Sequence, residues 1–134
     1  MRTIEEIQAE IDELWEKVNK ATEFIAILRE VQGRVTKKKE DINSDIYNPF
    51  KLYDMTRASK WRGDRECEAA DLQTDGCVHT ENSQKSTAVL LDEIAAEIER
   101  LEKCIEEWKK RIEHLEAEKD ELENLQDNGN QETQ

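Results

Sequence analysis

Apolar residues run along the first part of the chain as Ile4, Ile7, Ile11, Leu14, Val18, Ala21, Ile25 and Leu28, with gaps that alternate between three and four. That spacing keeps one apolar stripe turned toward a second helix over many turns, which is the pattern of a coiled-coil seam. The row continues through Gln32, Val35, Lys39, Ile42 and Ile46, where polar residues thin it. Thr3 and Glu6 have the spacing of a capping box, so the segment also carries its own start signal. Residues 3 to about 45 are read as one helix. A stronger row follows later: Leu91, Ile94, Ile98, Leu101, Ile105, Trp108, Ile112, Leu115 and Leu122, interrupted by Lys119. Glu99 with Lys103 and Glu106 with Lys110 add i,i+4 pairs on its polar face.

Between these rows the pattern weakens. Asn48-Pro49 is expected to stop the first helix, because proline lacks a donor and biases the preceding residue away from helical angles. The connection, about 46–60, holds Tyr47, Phe50, Leu52, Tyr53 and Met55, so it is expected to pack rather than wander. Helical pattern resumes near Trp61, with Cys67, Ala70, Thr74, Cys77, Glu81, Gln84 and Ala88 at the seam positions. These are small or polar, allowing close approach while burying little. Asp75-Gly76 is a turn dipeptide that offers a break at 75–80. Gln126-Asp127-Asn128-Gly129 is expected to end the last helix, leaving 126–134 as a disordered polar tail.

The fold expected is all-α: an elongated antiparallel helical hairpin or coiled coil with a long C-terminal helix, a single domain over residues 1–125. At about 1.5 Å per residue, a helix over 3–45 is roughly 65 Å long. If one continuous helix runs back from Trp61, residues to about 103 lie beside it and the remainder projects about 30 Å beyond Met1. That overhang would expose Ile105, Trp108, Ile112, Leu115 and Leu122, an apolar stripe that a monomer rarely tolerates. On this reading the seam of Leu91, Ile94, Ile98, Leu101, Ile105, Trp108, Ile112, Leu115 and Leu122 binds a partner. Ile4, Ile7, Ile11, Leu14, Val18, Ile25 and Leu28 form the intramolecular seam. A break at Asp75-Gly76 is the competing arrangement, in which residues 80–125 match the first helix and the monomer closes its own seam. It requires a 47–79 connection too long for an ordinary loop, so the continuous helix is favoured.

Composition agrees with long helices that bury a narrow stripe: 40% of residues are charged and 5% aromatic, too little apolar volume for a rounded core. The net charge of −13 argues against nucleic acid and for a basic or neutral protein surface. Lys37-Lys38-Lys39 with Arg57, Lys60, Arg62 and Arg65 make the turn end locally basic, read as a solvated face. No apolar run is long enough for membrane insertion, and no signal-peptide core opens the chain. A cytoplasmic protein, exported if at all with a partner and without a cleaved signal, is expected.

The three cysteines, Cys67, Cys77 and Cys104, form no C-x-x-C pair, so free thiols are favoured over a zinc site with His79. His114 is preceded three residues earlier by Arg111, not by the glutamate of a carboxylate metal site. With no phosphate loop and no nucleophile elbow, no enzyme activity, metal or cofactor is expected. Trp108 lies on the seam as a packing residue, and Trp15, beside Leu14 and Val18, widens its edge.

Trp61-Arg62-Gly63 falls between the two long helices. In this the chain resembles the WXG-type helical hairpins of type VII secretion, and within them the YwqH-like proteins. Those combine an N-terminal coiled-coil helix, a W-x-G followed by basic residues (here Asp64-Arg65) and a long Ile/Leu/Glu/Lys-rich final helix. The resemblance covers residues 3–125. It implies a non-enzymatic accessory protein that binds the helical N-terminal region of an LXG-type toxin, with Trp61 and Gly63 shaping the hairpin corner. The chain departs from related hairpins in one respect. Their aromatic-x-x-x-Asp/Glu export signal follows the second helix, whereas here Phe50-Lys51-Leu52-Tyr53-Asp54 carries that spacing within the connection. A second expectation, independent of the resemblance, is a structural coiled-coil scaffold or adaptor that forms a homo-oligomer.

Overall fold

Thr3 begins the first helix as its spacing foretold: its hydroxyl oxygen accepts the Glu6 N–H at 3.1 Å and its carbonyl accepts the Ile7 N–H at 3.0 Å. The computed structural model describes residues 2–53 and 64–132. Their elements are α1 (Ile4–Asp41), a π-helical turn (Ile42–Tyr47), α2 (Asn48–Leu52) and α3 (Asp64–Glu132), with no strand among the described residues. The fold is an all-α helical hairpin of coiled-coil type, α1 packing antiparallel on α3. Packing resolves into two units, one of residues 1–29 with 96–134 and one of residues 30–95.

Unit 1 holds the hydrophobic core. Ile7, Ile11, Leu14 and Val18 of α1 interlock with Ile112 and Leu115 of α3, and Ile105, Trp108 and Leu122 pack against them. Ala21, Ile25, Ile98 and Leu101 are buried in the same unit. Each large aliphatic side chain taken from water contributes on the order of 2 kcal/mol, so this seam dominates the unit's stability. Polar contacts set its register. Arg29 pairs with Glu102 at 2.5 Å, Arg111 with Glu10 at 3.4 Å, and Lys119 donates to Gln8 at 2.8 Å. Lys119, the interruption in the α3 row, thus has a polar partner facing it, and slipping the helices would separate the two.

This register corrects the expected overhang. Ile112 and Leu115 do not project past α1 but lie against Ile7 to Val18, with Leu115 fully buried. Two features account for the shift. The first arm stays helical to Leu52 instead of ending near 45, and Gln73 of α3 meets the end of that arm. α3 also runs unbroken through Asp75-Gly76 and on through Gln126–Gly129, where an end and a disordered tail were expected. One glycine costs a helix interior about 1 kcal/mol, too little to end an already nucleated helix.

In unit 2 the chain passes Pro49 without leaving the helix. A proline inside an α-helix loses its hydrogen bond and its ring meets the carbonyl four residues back. Here the turn widens over Ile42–Tyr47, the Asn48 N–H bonds to Asn43 O five residues back, and Pro49 falls in the first turn of α2. At that position no donor is required. Ser44 donates to Glu40 O at 3.0 Å, adding a bond to a carbonyl just before the widened turn.

Candidate helix-binding surface

Where each seam residue lies decides what surface remains for a partner. Ile7, Ile11, Leu14, Val18 and Ile25 are buried in unit 1, and Ile4 and Leu28 are half-buried. On α3, Ile94, Ile98, Leu101, Ile112 and Leu115 are buried, while Leu91, Ile105, Trp108 and Leu122 are half-buried. The row read as partner-binding is therefore largely closed by the chain itself, with Ile105 and Trp108 left half-buried. Trp61 and Gly63, the expected hairpin corner, lie outside the described residues.

Unit 2 is built differently. Its inward positions on α3 are Gln73, Cys77, Thr80, Gln84, Thr87 and Leu91, all half-buried, whereas Thr74 and Glu81 are exposed. The expected row thus shifts by one residue at 74 and 81, because small and polar side chains give a helix no apolar contrast to orient it. Thr80 and Thr87 donate to carbonyls four residues back, at 2.8 and 2.9 Å, which satisfies their hydroxyls locally. Gln84 reaches across to Lys39 O at 2.9 Å and Asn43 Oδ1 at 2.8 Å. Gln73 donates to Phe50 O at 2.7 Å and Tyr53 O at 2.8 Å, capping the carbonyl end of α2 from the facing helix.

Gly76, read from sequence as a turn residue, has a packing role instead. A Cβ there would stand 2.9 Å from Phe50 Cε1 and 3.2 Å from Cζ, so its bare backbone makes room for the ring. Beyond this seam Ile42, Ile46, Val78, Val89 and Leu90 are exposed. Ile42 and Ile46 form one wall of an open groove whose other wall is Thr80, Ser83 and Thr87.

Tyr47 anchors the widened turn to α3 by donating its hydroxyl to Glu81, and Lys51 lies over its ring, Nζ 5.6 Å from the centroid. The Glu81 hydrogen bond, with burial and the carboxylate's charge, pushes the Tyr47 pKa up to about 12 from its ordinary value of 10. The neutral phenol is therefore favoured by folding. Its contribution is complete below pH 10 and is lost as pH rises through about 12. With Tyr53→Phe leaving Tyr47 as the sole tyrosine, phenolate absorbance should appear with a midpoint near 12, and Glu81→Gln should return it toward 10. A midpoint near 10 with Glu81 intact would mean that this bond does not form.

In unit 1 the electrostatics concentrate on two carboxylates. Burial acts to raise the Glu10 pKa, but the hydrogen bond and charge of Arg2, joined by Arg111, outweigh it and hold the group below the usual carboxylate value. Glu97 is lowered by hydrogen bonds from Arg100, at 2.9 and 2.6 Å, against a smaller burial penalty, and the same contact raises Arg100. Lys17, Lys20, Phe24, Arg100 and Trp108 rim a shallow depression floored by Ala21 and Leu101.

Cys67 is exposed and Cys77 and Cys104 half-buried, all as free thiols. Among the described residues no group of three His, Cys, Asp or Glu side chains could hold a metal ion, and no helix is long and apolar enough to cross a membrane. Each unit leaves apolar side chains exposed: Phe24 and Ile27 in unit 1, and Ile42, Ile46, Val78, Val89 and Leu90 in unit 2. Phe24 and Ile27 stand one position ahead of the seam residues Ile25 and Leu28, a spacing that is informative only once the seam's closure is known. The chain matches no family model, no curated protein and no solved structure.

Proposed function

We propose that this chain is a non-enzymatic helix-binding protein that accompanies the helical N-terminal region of an LXG-type toxin to a type VII secretion machine. The observation that carries the helix-binding part is the uneven closure of the two units. Unit 1 seals its seam with interlocking Ile, Leu and Val, whereas unit 2 buries Ala69 and Ile94 and leaves Ile42, Ile46, Val78, Val89 and Leu90 exposed. A pair of helices joined by glutamines and threonines gains more from a third apolar helix than a pair already closed. The toxin assignment is supported by the resemblance of Trp61-Arg62-Gly63, between two long helical patterns, to the W-x-G of YwqH-like proteins.

The test is co-expression with the helical N-terminal region of an LXG-type toxin encoded by a neighbouring gene, followed by size-exclusion chromatography with light scattering. The expected result is a co-eluting complex whose mass is the sum of both chains. If the toxin region never co-elutes and the chain alone forms a stable, monodisperse oligomer, the toxin reading falls. A self-assembling scaffold then takes its place.

A further inference from the structure

We infer that the flank of unit 1 formed by Lys17, Lys20, Phe24 and Ile27, with Arg100 and Trp108 opposite, is a docking surface for an acidic amphipathic helix of a partner protein. The inference rests on the helix-binding reading above and adds to the exposed apolar residues of unit 2 a separate contact on unit 1, with the chemistry of the partner that fits it.

Lys17, Lys20, Phe24 and Ile27 each stand one residue before a seam position: Val18, Ala21, Ile25 and Leu28. The same three-four spacing therefore makes them a second row along α1, parallel to the buried one. All four are exposed, Phe24 by 48% and Ile27 by 56%. In a chain of net charge −13 this row contains no carboxylate. It changes sign where it continues toward the N-terminus, at Glu10 and Glu13.

The row borders a depression that exists because Ala21 is the smallest residue of its seam. Ala21 and Leu101 floor it, Phe24 and Trp108 stand at its sides, and Lys17, Lys20 and Arg100 surround it. Glu97 is the carboxylate in its lining, already held by Arg100. Lys20 pairs with Glu16 at 3.0 Å. Such exposed pairs are weak and exchange readily for a better-placed carboxylate. An apolar side chain seated on Ala21, with carboxylates one turn to either side, satisfies the surface. A basic helix would place like charges against Lys17, Lys20 and Arg100.

Net charge and local charge point in opposite directions here, and distance separates them. Screening removes most of the field of remote carboxylates beyond about 8 Å at physiological ionic strength, so contact-range cations decide the docked orientation. The overall charge acts on the approach.

The probe is a pair of synthetic amphipathic peptides of about four heptads, with leucine on the packing row and either glutamate or lysine on both flanks. The reporter is Trp108, made the sole indole by Trp15→Phe and Trp61→Phe. The glutamate peptide is expected to shift Trp108 emission and to bind about tenfold more tightly than the lysine peptide. Lys17→Gln with Lys20→Gln should abolish that preference, and Lys17→Glu with Lys20→Glu should invert it. Equal affinities, a preference for the lysine peptide, or an unmoved Trp108 overturns the inference. If the toxin region still co-purifies in that case, the proposed function stands and its docking surface lies elsewhere. If the glutamate preference holds while co-purification fails, the acidic-helix surface stands and the toxin reading falls.

Discussion

Truncating Leu115 to alanine is expected to cost unit 1 about 2–5 kcal/mol, the range for removing a fully enclosed aliphatic side chain from a packed core. Leu115 has no exposed surface and sits in the cluster of Ile7, Ile11, Leu14, Val18 and Ile112. In a two-helix seam each such residue is a large share of the core, because no second layer shares the burial. Total stability of small domains is about 5–15 kcal/mol, so this one change removes a large fraction of it. Leu115→Asp goes further by placing an unpaired charge among those aliphatics, and it should abolish the folded unit. Ile105→Asp with Ile112→Asp should act the same way, since Ile112 is only 2% exposed in the same cluster. Urea denaturation followed by circular dichroism provides the measurement. Leu125→Ala, at a position 63% exposed, provides the control and should stay within about 0.5 kcal/mol. Equal effects at 115 and 125 would mean that α3 does not meet α1 in this register.

Gly76→Leu is expected to destabilise unit 2 by about 1–2 kcal/mol, although leucine is the better helix former. The reason is Phe50, whose ring occupies the space a side chain at 76 would need. Alanine is the informative contrast. Its Cβ meets the outer atoms of a ring that can tilt, and its propensity advantage of about 1 kcal/mol offsets that contact, so Gly76→Ala should be close to neutral. Leucine adds three carbons beyond the Cβ and must evict the ring. The mechanism is read from a double-mutant cycle: in a Phe50→Ala background, Gly76→Leu should cost less or become stabilising. If its cost is unchanged there, ring and glycine are not in contact and α2 is held by other means. Gln73, which caps the carbonyls of Phe50 and Tyr53, would then be the first residue to examine.

Much of unit 1 was legible in the residue pattern because its signal is strong. The alternation of Ile4 to Leu28, and of Ile98 to Leu122, names the buried residues of that unit nearly one for one. An apolar side chain every three or four residues in a strongly charged helix has a single way to avoid water. The assignment of that second row to a partner was not legible correctly. Periodicity shows which face is buried but carries no information about what covers it. The pattern does not give the register near Pro49, whose sequence mark is that of a stop, because the π-helical turn lets the helix continue.

Unit 2 was largely illegible, and for one physical reason. Glutamine, threonine, serine and cysteine do not distinguish inward from outward faces by hydrophobicity, so a row at 73, 77, 80 and 84 looks no better than one at 74, 77, 81 and 84. What orients them is a hydrogen bond to one particular carbonyl across the seam, as Gln84 makes with Lys39 O. Such a bond depends on positions far apart in the chain.

Helical class, the antiparallel pairing of two long amphipathic segments and the start at Thr3 follow from the residues alone, because helix period and capping are local properties. Tertiary structure decided the alignment of the arms, the closure of the α3 row on Ile7 to Val18, the purpose of Gly76 and the exposure of the Lys17–Ile27 flank. Each of these depends on which residue stands opposite which, as in the pairs Gln8 with Lys119 and Phe50 with Gly76.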